Sequence, residues 1–259
     1  MKRLGLMAAV LLMLFAAPAA SDARPDADVL YQTSTLEALL VGIYDGKTTF
    51  GELRQHGDFG IGTFNAVDGE MVGLDGRFYQ VLSSGRVHVV PDWAKTPFAA
   101  VTFFEPDTSV PLGAIDSFTD LESKIDSVIP TQNIFYAIKI TGDFTYIKTR
   151  SAPKQSKPYK PLAQALKNQP TFEFHNVKGT IVGLRCPDYV KGINVPGYHF
   201  HFITNDRTAG GHLLECKFVD NSAQIDYTSE FFLALPDTRE FDSAQLGVDR
   251  QAEIKQVEK

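Results

Sequence analysis

Cysteine is scarce in this chain of 259 residues: Cys186 and Cys216 are the only two, both in the second half. An oxidising compartment would allow one bridge between them. Neither belongs to a Cys-x-x-Cys pair, which counts against zinc ligation through sulfur. Clustered basic residues are also missing. With 25 Lys and Arg against 31 Asp and Glu, the formal net charge is −6, and nothing offers the grouped cations that phosphate neutralisation needs, so nucleic acid is excluded as a partner. The acidity serves solubility. No apolar run reaches the roughly 20 residues of a bilayer-spanning helix. The longest, residues 4–17, follows Lys2 and Arg3 and is succeeded by Ala19, Ala20 and Ser21, the pattern of a secretory signal. We expect a signal peptide at 1–20, cleavage near 19–23, a periplasmic or secreted mature chain and no membrane association after cleavage; an uncleaved anchor is the alternative. Internal repeats and low-complexity tracts are absent.

The apolar and charged shares, 44% and 22%, are those of a folded globular chain. Ser34-Thr-Leu-Glu37 has the form of a capping box, and Leu36, Leu39, Leu40 and Ile43 follow at helical spacing. From 60 to 90, short β-rich runs are broken by Asp68-Gly69, Asp75-Gly76 and Ser84-Gly85, which favour tight hairpins and predict a β-meander. A strand is expected at 100–104. A helix over 117–129 is capped by Ser117, carries Asp120 at its third position and ends at Pro130. Two strands follow at 134–140 and 144–150. The stretch 151–161, rich in Pro, Lys and Ser, predicts a boundary, dividing the mature chain into an N-terminal α+β domain (27–160) and a C-terminal β-rich zinc-binding domain (161–259). After a short helix at 162–166, strands are expected at 180–185, 197–203, 212–219, 223–227 and 230–235. Helices and strands do not alternate as βαβ units require, so the class is α+β with strand dominant.

Three of six histidines fall in Gly197-Tyr-His-Phe-His-Phe-Ile203 and Gly210-Gly-His212. Strand alternation puts His199 and His201 on one face and Tyr198, Phe200 and Phe202 on the other. Asn205-Asp206 and Gly210-Gly211 supply the turn chemistry to bring His212 onto a neighbouring antiparallel strand. Three convergent imidazoles suit a zinc ion that keeps a position open for water or substrate, although imidazole also serves Cu, Fe and Ni. Read as isolated residues, these would be ordinary strand histidines; the third, across the turn, favours a metal site. His56, His88 and His175 stand alone and read as structural or surface residues.

At these residues the chain resembles the α-acetolactate decarboxylases, and the resemblance extends through His56-Gly-Asp-Phe-Gly60, Gly62-Thr-Phe-Asn65, Asp68-Gly-Glu-Met71, Phe135-Tyr-Ala-Ile138 and Gly179-Thr-Ile-Val-Gly183. It implies that His199, His201 and His212 bind zinc and that Glu70, Arg150 and a C-terminal glutamate, matched here to Glu258 with Glu253 as competitor, take catalytic roles. Thr63 matches a position near the substrate. Apart from the motif, Glu70 reads as a surface carboxylate after a turn, and Arg150 as a solvated charge sharing a strand face with Phe144, Tyr146 and Lys148.

The implied reaction converts 2-hydroxy-2-methyl-3-oxobutanoate to (R)-acetoin and CO₂, with zinc chelating the ketone and hydroxyl oxygens and no organic cofactor. The planar fork of Arg150 suits the substrate carboxylate, and Glu70 is the candidate for handling the proton, with Arg150 as the alternative donor. Because Glu70 and Arg150 belong to the first half and the histidines to the second, the metal site is expected at the interface of two packed mixed or antiparallel sheets. Rival readings are a carbonic anhydrase-like or cupin-like enzyme and a non-enzymatic zinc-binding protein with a closed metal shell. An edge strand of the first half offers a route to a homodimer.

Overall fold

The computed structural model describes residues 27–258, apart from the side chains of residues 255, 256 and 258; the signal expected at 1–20 lies outside the described residues. The chain opens with β1 (Val29–Thr33), α1 (Leu36–Leu40) and α2 (Phe50–Leu53). The meander follows as β2 (Phe59–Thr63), β3 (Glu70–Leu74), β4 (Arg77–Val81) and β5 (Val87–Val89), then β6 (Ala99–Thr102), β7 (Thr108–Ile115) and α3 (Phe118–Asp126). A long β8 (Phe135–Arg150) and α4 (Leu162–Ala165) precede β9 (Thr171–Cys186), β10 (Gly197–Thr204), β11 (Gly210–Thr228) and β12 (Glu230–Ala234), and α5 (Arg239–Asp242) and α6 (Gln251–Glu258) close the chain. No helix among the described residues is long and apolar enough to cross a membrane.

Two sheets result. The first runs β12-β1-β6-β2-β3-β4-β5 and is mixed, because β12 pairs with β1 in parallel while its other ladders are antiparallel. The second runs β10-β9-β8-β11-β7, and β10 also pairs with β11, so strands β8 to β11 close on themselves as a small barrel. Closure gives that sheet an inside and an outside. Tyr136, Ile138 and Ile140 join Phe200, Phe202 and Phe218 in one core, whereas Phe135, Ala137, Val182, Leu184 and Ile203 pack against Phe59, Ile61 and Val72 of the first sheet in another. This strand-dominated α+β architecture of two packed sheets matches the expectation. The sheets do not, however, divide at residue 160: β7 and β8 build the second sheet and β12 returns to the first. The start of the stretch 151–161 is tied to the first sheet, with Ser151 and Ala152 buried, the Ser151 hydroxyl donating to Val81 O and Gln155 N–H to Ala66 O, while most of the remainder is exposed.

Local expectations fare unevenly. Ser117 caps α3, accepting from Asp120 N–H, and Asp75-Gly76 forms the two-residue turn between β3 and β4, both residues at positive φ. Asp68-Gly69 ends a longer connection instead. The capping box at Ser34 does not form: Ser34 N–H is drawn into a bond with Ala234 O, and Thr35 becomes the cap, accepting from Ala38 N–H. Strands expected at 134–140 and 144–150 are one strand, as are those at 212–219 and 223–227, because each ladder continues past the irregular stretch at 218–222. Cys186 and Cys216 are free thiols. They belong to different cores, Cys186 between the sheets and Cys216 inside the barrel.

Gly179 and Gly183 explain their own motif. Each lies on β9 beneath a ring of β10: a Cβ on Gly183 would come within 2.4 Å of Phe200 and 2.2 Å of His199 O, and one on Gly179 within 2.3 Å of Phe202. Overpacking of this kind costs about 1–3 kcal/mol, so Gly183→Ala should lower the thermal midpoint and weaken metal retention together, as followed by calorimetry and metal analysis. A second test concerns Asp226, 1% exposed on β11. Burial pushes its pKa up to about 7, with Asp107, Asp28 and Glu105 adding to the rise and a bond from Glu105 N–H opposing it. A folded pKa above the unfolded value of about 3.9 means that stability is fully present below that pH and declines as pH rises through 7. Relative to Asp226→Asn, the wild type should therefore lose stability between pH 4 and 8 in denaturant titrations.

Candidate metal centre

β10 begins at Gly197 and alternates strictly. Phe200 and Phe202 enter the barrel core, which forces His199 and His201 to the outer side, toward β3. The turn after β10 is held by Thr204, whose N–H donates to Ala209 O at 2.9 Å and whose hydroxyl lies 2.6 Å from Asp206 Oδ1. The chain then returns so that His212 pairs directly with His201, and on its other side with Arg150 at the end of β8. Gly211 makes this crossing possible: its φ is +137°, and a Cβ there would stand 2.5 Å from Arg150 O.

The three side chains converge as expected. One ligand nitrogen from each lies within 4.8 Å of the others, and His199 Nε2 is 3.2 Å from His212 Nδ1. Two nitrogens on a tetrahedral zinc with Zn–N bonds of about 2.0–2.1 Å stand about 3.3 Å apart. His201 Nδ1 lies 2.7 Å from Met71 O and must donate to it, which leaves Nε2 as a lone pair; that atom is buried and has no hydrogen-bond partner among the described residues. Burial, and secondarily the nearby Arg150, push the His199 pKa down to about 3. His201 is also held well below its usual value by burial, then by His199 and Arg150, against the opposing bond to Met71. These rings stay neutral at ordinary pH, the state a metal needs. The donor set fits zinc.

Glu70, the first residue of β3, faces the histidines. Its Oε1 accepts from Ala152 N–H at 2.9 Å, and Oε2 lies 3.6 Å from His201 Nε2. Arg150 is 8% exposed, not the solvated charge its sequence context predicts. Its Nη2 is 3.2 Å from His212 Nε2 and also donates to Val257 O on α6. Tyr146 and Lys148 share its face along a cleft of about 600 Å³, whereas Phe144 turns into the barrel core. Thr63 lines the central cavity of about 50 Å³ with Glu70, Arg150 and the three histidines, but its hydroxyl donates to Gly69 O at 2.8 Å and so steadies the turn before Glu70. Glu253 pairs with Arg250 at 3.1 Å. The backbone of Glu258 ends α6, and its side chain lies outside the described residues. His56 stacks on Tyr31 and His175 contacts Tyr146, in keeping with structural roles.

Sequence reasoning missed the apolar wall of the cavity, which includes Leu36, Leu39, Phe98, Leu162 and Val257. The helical spacing of Leu36 and Leu39 was its one visible sign. Met71 as the orienting carbonyl carries no signal, since any residue has one.

Fold and site define a β-sheet enzyme with a cluster of three histidines that could hold a metal ion, enclosed between two sheets, an arginine and a carboxylate beside it. Residues 30–248 match the family described as alpha-acetolactate decarboxylase. The alpha-acetolactate decarboxylase of Methanosarcina mazei is 49% identical over 232 residues, 90% of this chain and 81% of that protein. The Bacillus subtilis strain 168 protein of the same name is 44% identical over 217 residues, 84% of this chain and 85% of that protein. The crystal structure of alpha-acetolactate decarboxylase from the latter strain superposes with a TM-score of 0.86 at 43% identity, covering 89% of this chain and 99% of that one. This chain belongs to the alpha-acetolactate decarboxylase family, a family of carboxy-lyases.

The purified protein should carry close to one divalent metal ion per chain, and His199→Ala should bring metal content to background, as measured by inductively coupled plasma mass spectrometry. Full metal retention in that variant would remove His199 from the ligand set.

Proposed function

We propose that the protein decarboxylates α-acetolactate, 2-hydroxy-2-methyl-3-oxobutanoate, to (R)-acetoin and CO₂, using zinc held by His199, His201 and His212. The observation that carries this reading is the enclosure of three imidazoles, a buried guanidinium and a carboxylate in one cavity of a chain from this family. When bound, zinc supplies Lewis acidity toward the ketone and hydroxyl oxygens of the substrate.

The protein's own groups do the rest. Breaking the bond to the carboxylate carbon releases CO₂ and leaves its electron pair on the substrate, where the adjacent ketone takes it up; one proton must then reach carbon. Arg150 offers a planar donor fork to the departing carboxylate, and burial beside His212 strengthens that attraction. Glu70 is the group for the proton: Ala152 N–H fixes one carboxylate oxygen, and the other is presented toward the histidines. Delivery from that fixed side accounts for a single product enantiomer. Leu36, Leu39 and Phe98 keep water from competing for the same carbon. We further propose that residues 1–20 direct export, so that the enzyme meets its substrate in the periplasm or outside the cell.

Holo and chelator-stripped protein incubated with racemic acetolactate, with products resolved on a chiral column, tests this reading. The expected outcome is zinc-dependent (R)-acetoin; bound zinc without acetoin would overturn it. Arg150→Ala should keep its metal and lose about 100-fold or more in kcat/KM. Glu70→Gln should lower kcat by a similar factor and erode the enantiomeric excess, and unchanged kinetics in either variant would remove that residue from its role.

A further inference from the structure

Glu37 stands in the first turn of α1, where a carboxylate ordinarily faces water. Here it is 9% exposed. Its two oxygens accept from two successive main-chain amides some 210 residues further on: Gly247 N–H reaches Oε2 and Val248 N–H reaches Oε1, each at 2.8 Å. Gly247 has φ +85°, a backbone state that lets consecutive N–H groups form a concave anion seat. Arg250 Nε lies 3.9 Å from Oε1, and its Nη1 binds Glu253. Burying a carboxylate is costly unless it is bonded, and here it is bonded to a single short segment.

That segment leads directly into α6. Eight residues form a helix of marginal intrinsic stability, so its position depends on what holds its ends. At the far end Val257 is 4% exposed, packs with Leu36 and Leu39, and accepts from Arg150 through its carbonyl. At the near end the hold is Glu37. The contacts form one line: Glu37, the 247–250 turn, α6, Val257 O, Arg150.

We infer that Glu37 is a positioning residue for the reaction: by clamping the 247–250 turn it seats α6, and α6 in turn holds the Arg150 guanidinium against His212 through the Val257 carbonyl. This rests on the role proposed above for Arg150. Glu37 touches none of the reacting groups.

The test uses the metal-loaded full chain with Glu37→Ala, Glu37→Gln and Val248→Pro, the last removing one clamped amide without altering α1. Hydrogen–deuterium exchange over 247–258, metal content, and kcat and KM on racemic acetolactate are measured for each. Glu37→Ala should lose amide protection across α6, keep its metal, and fall between about tenfold and a hundredfold in kcat/KM. Glu37→Gln and Val248→Pro, each sparing one of the two bonds, should lie between it and the wild type. In an Arg150→Ala background, Glu37→Ala should cost nothing further in kcat/KM. Retained protection in Glu37→Ala, or lost protection with wild-type kinetics, would overturn the inference. So would additive losses in the double variant, or a defect in Glu37→Ala that Val248→Pro does not share. A wild type inert toward acetolactate would defeat the functional reading instead, and the exchange data would still report whether Glu37 seats α6.

Discussion

His201, His212 and Arg150 lie in one cross-strand row running from β10 through β11 to β8, and the register of those ladders governs everything the site can do. Side chains alternate with period two, so a slip of one residue would send an imidazole into the barrel and bring a phenylalanine to the metal position. What resists the slip is apolar. Phe200 and Phe202 pack into the barrel core, and Gly179 and Gly183 on the neighbouring strand leave room for their rings. Geometry on the polar side of β10 is thus set by packing on its hidden side.

The same enclosure sets the charge balance. A guanidinium 3.2 Å from one histidine adds to the effect of burial in keeping the others unprotonated, and it also opposes a divalent cation. Glu70 supplies the compensating sign, 3.6 Å from His201. A buried cation left without such a partner would be expensive. The site therefore holds opposite charges on two different sheets, and their separation is fixed only when the sheets dock.

Features that depend on near neighbours were legible from residues alone: the Ser117 cap, the Asp75-Gly76 turn, the alternation of His199 and His201, and the return of the chain to bring in His212. Features that depend on distant contacts were not. Ser34 looks like a helix cap until Ala234 claims its N–H. Arg150 looks solvated until α6 covers it, and Glu37 looks like a helix-capping carboxylate until the 247–250 turn arrives. The two free cysteines sit in cores that sequence proximity to a barrel wall cannot distinguish. For Glu70 and Arg150, resemblance to a family supplied roles that spacing alone did not.

The parallel pairing of β1 with β12 has a consequence for how the protein comes into being. Val29 pairs with Glu230, so the first strand made must wait for about 200 further residues before its ladder is complete. At synthesis rates of roughly 5–20 residues per second that is a delay of about 10–40 s. Until then, Leu30 and its neighbours lack the outer strand that flanks them in the finished sheet. The first sheet is thus kept from completing its fold, by its own topology, until the last of its strands has been made.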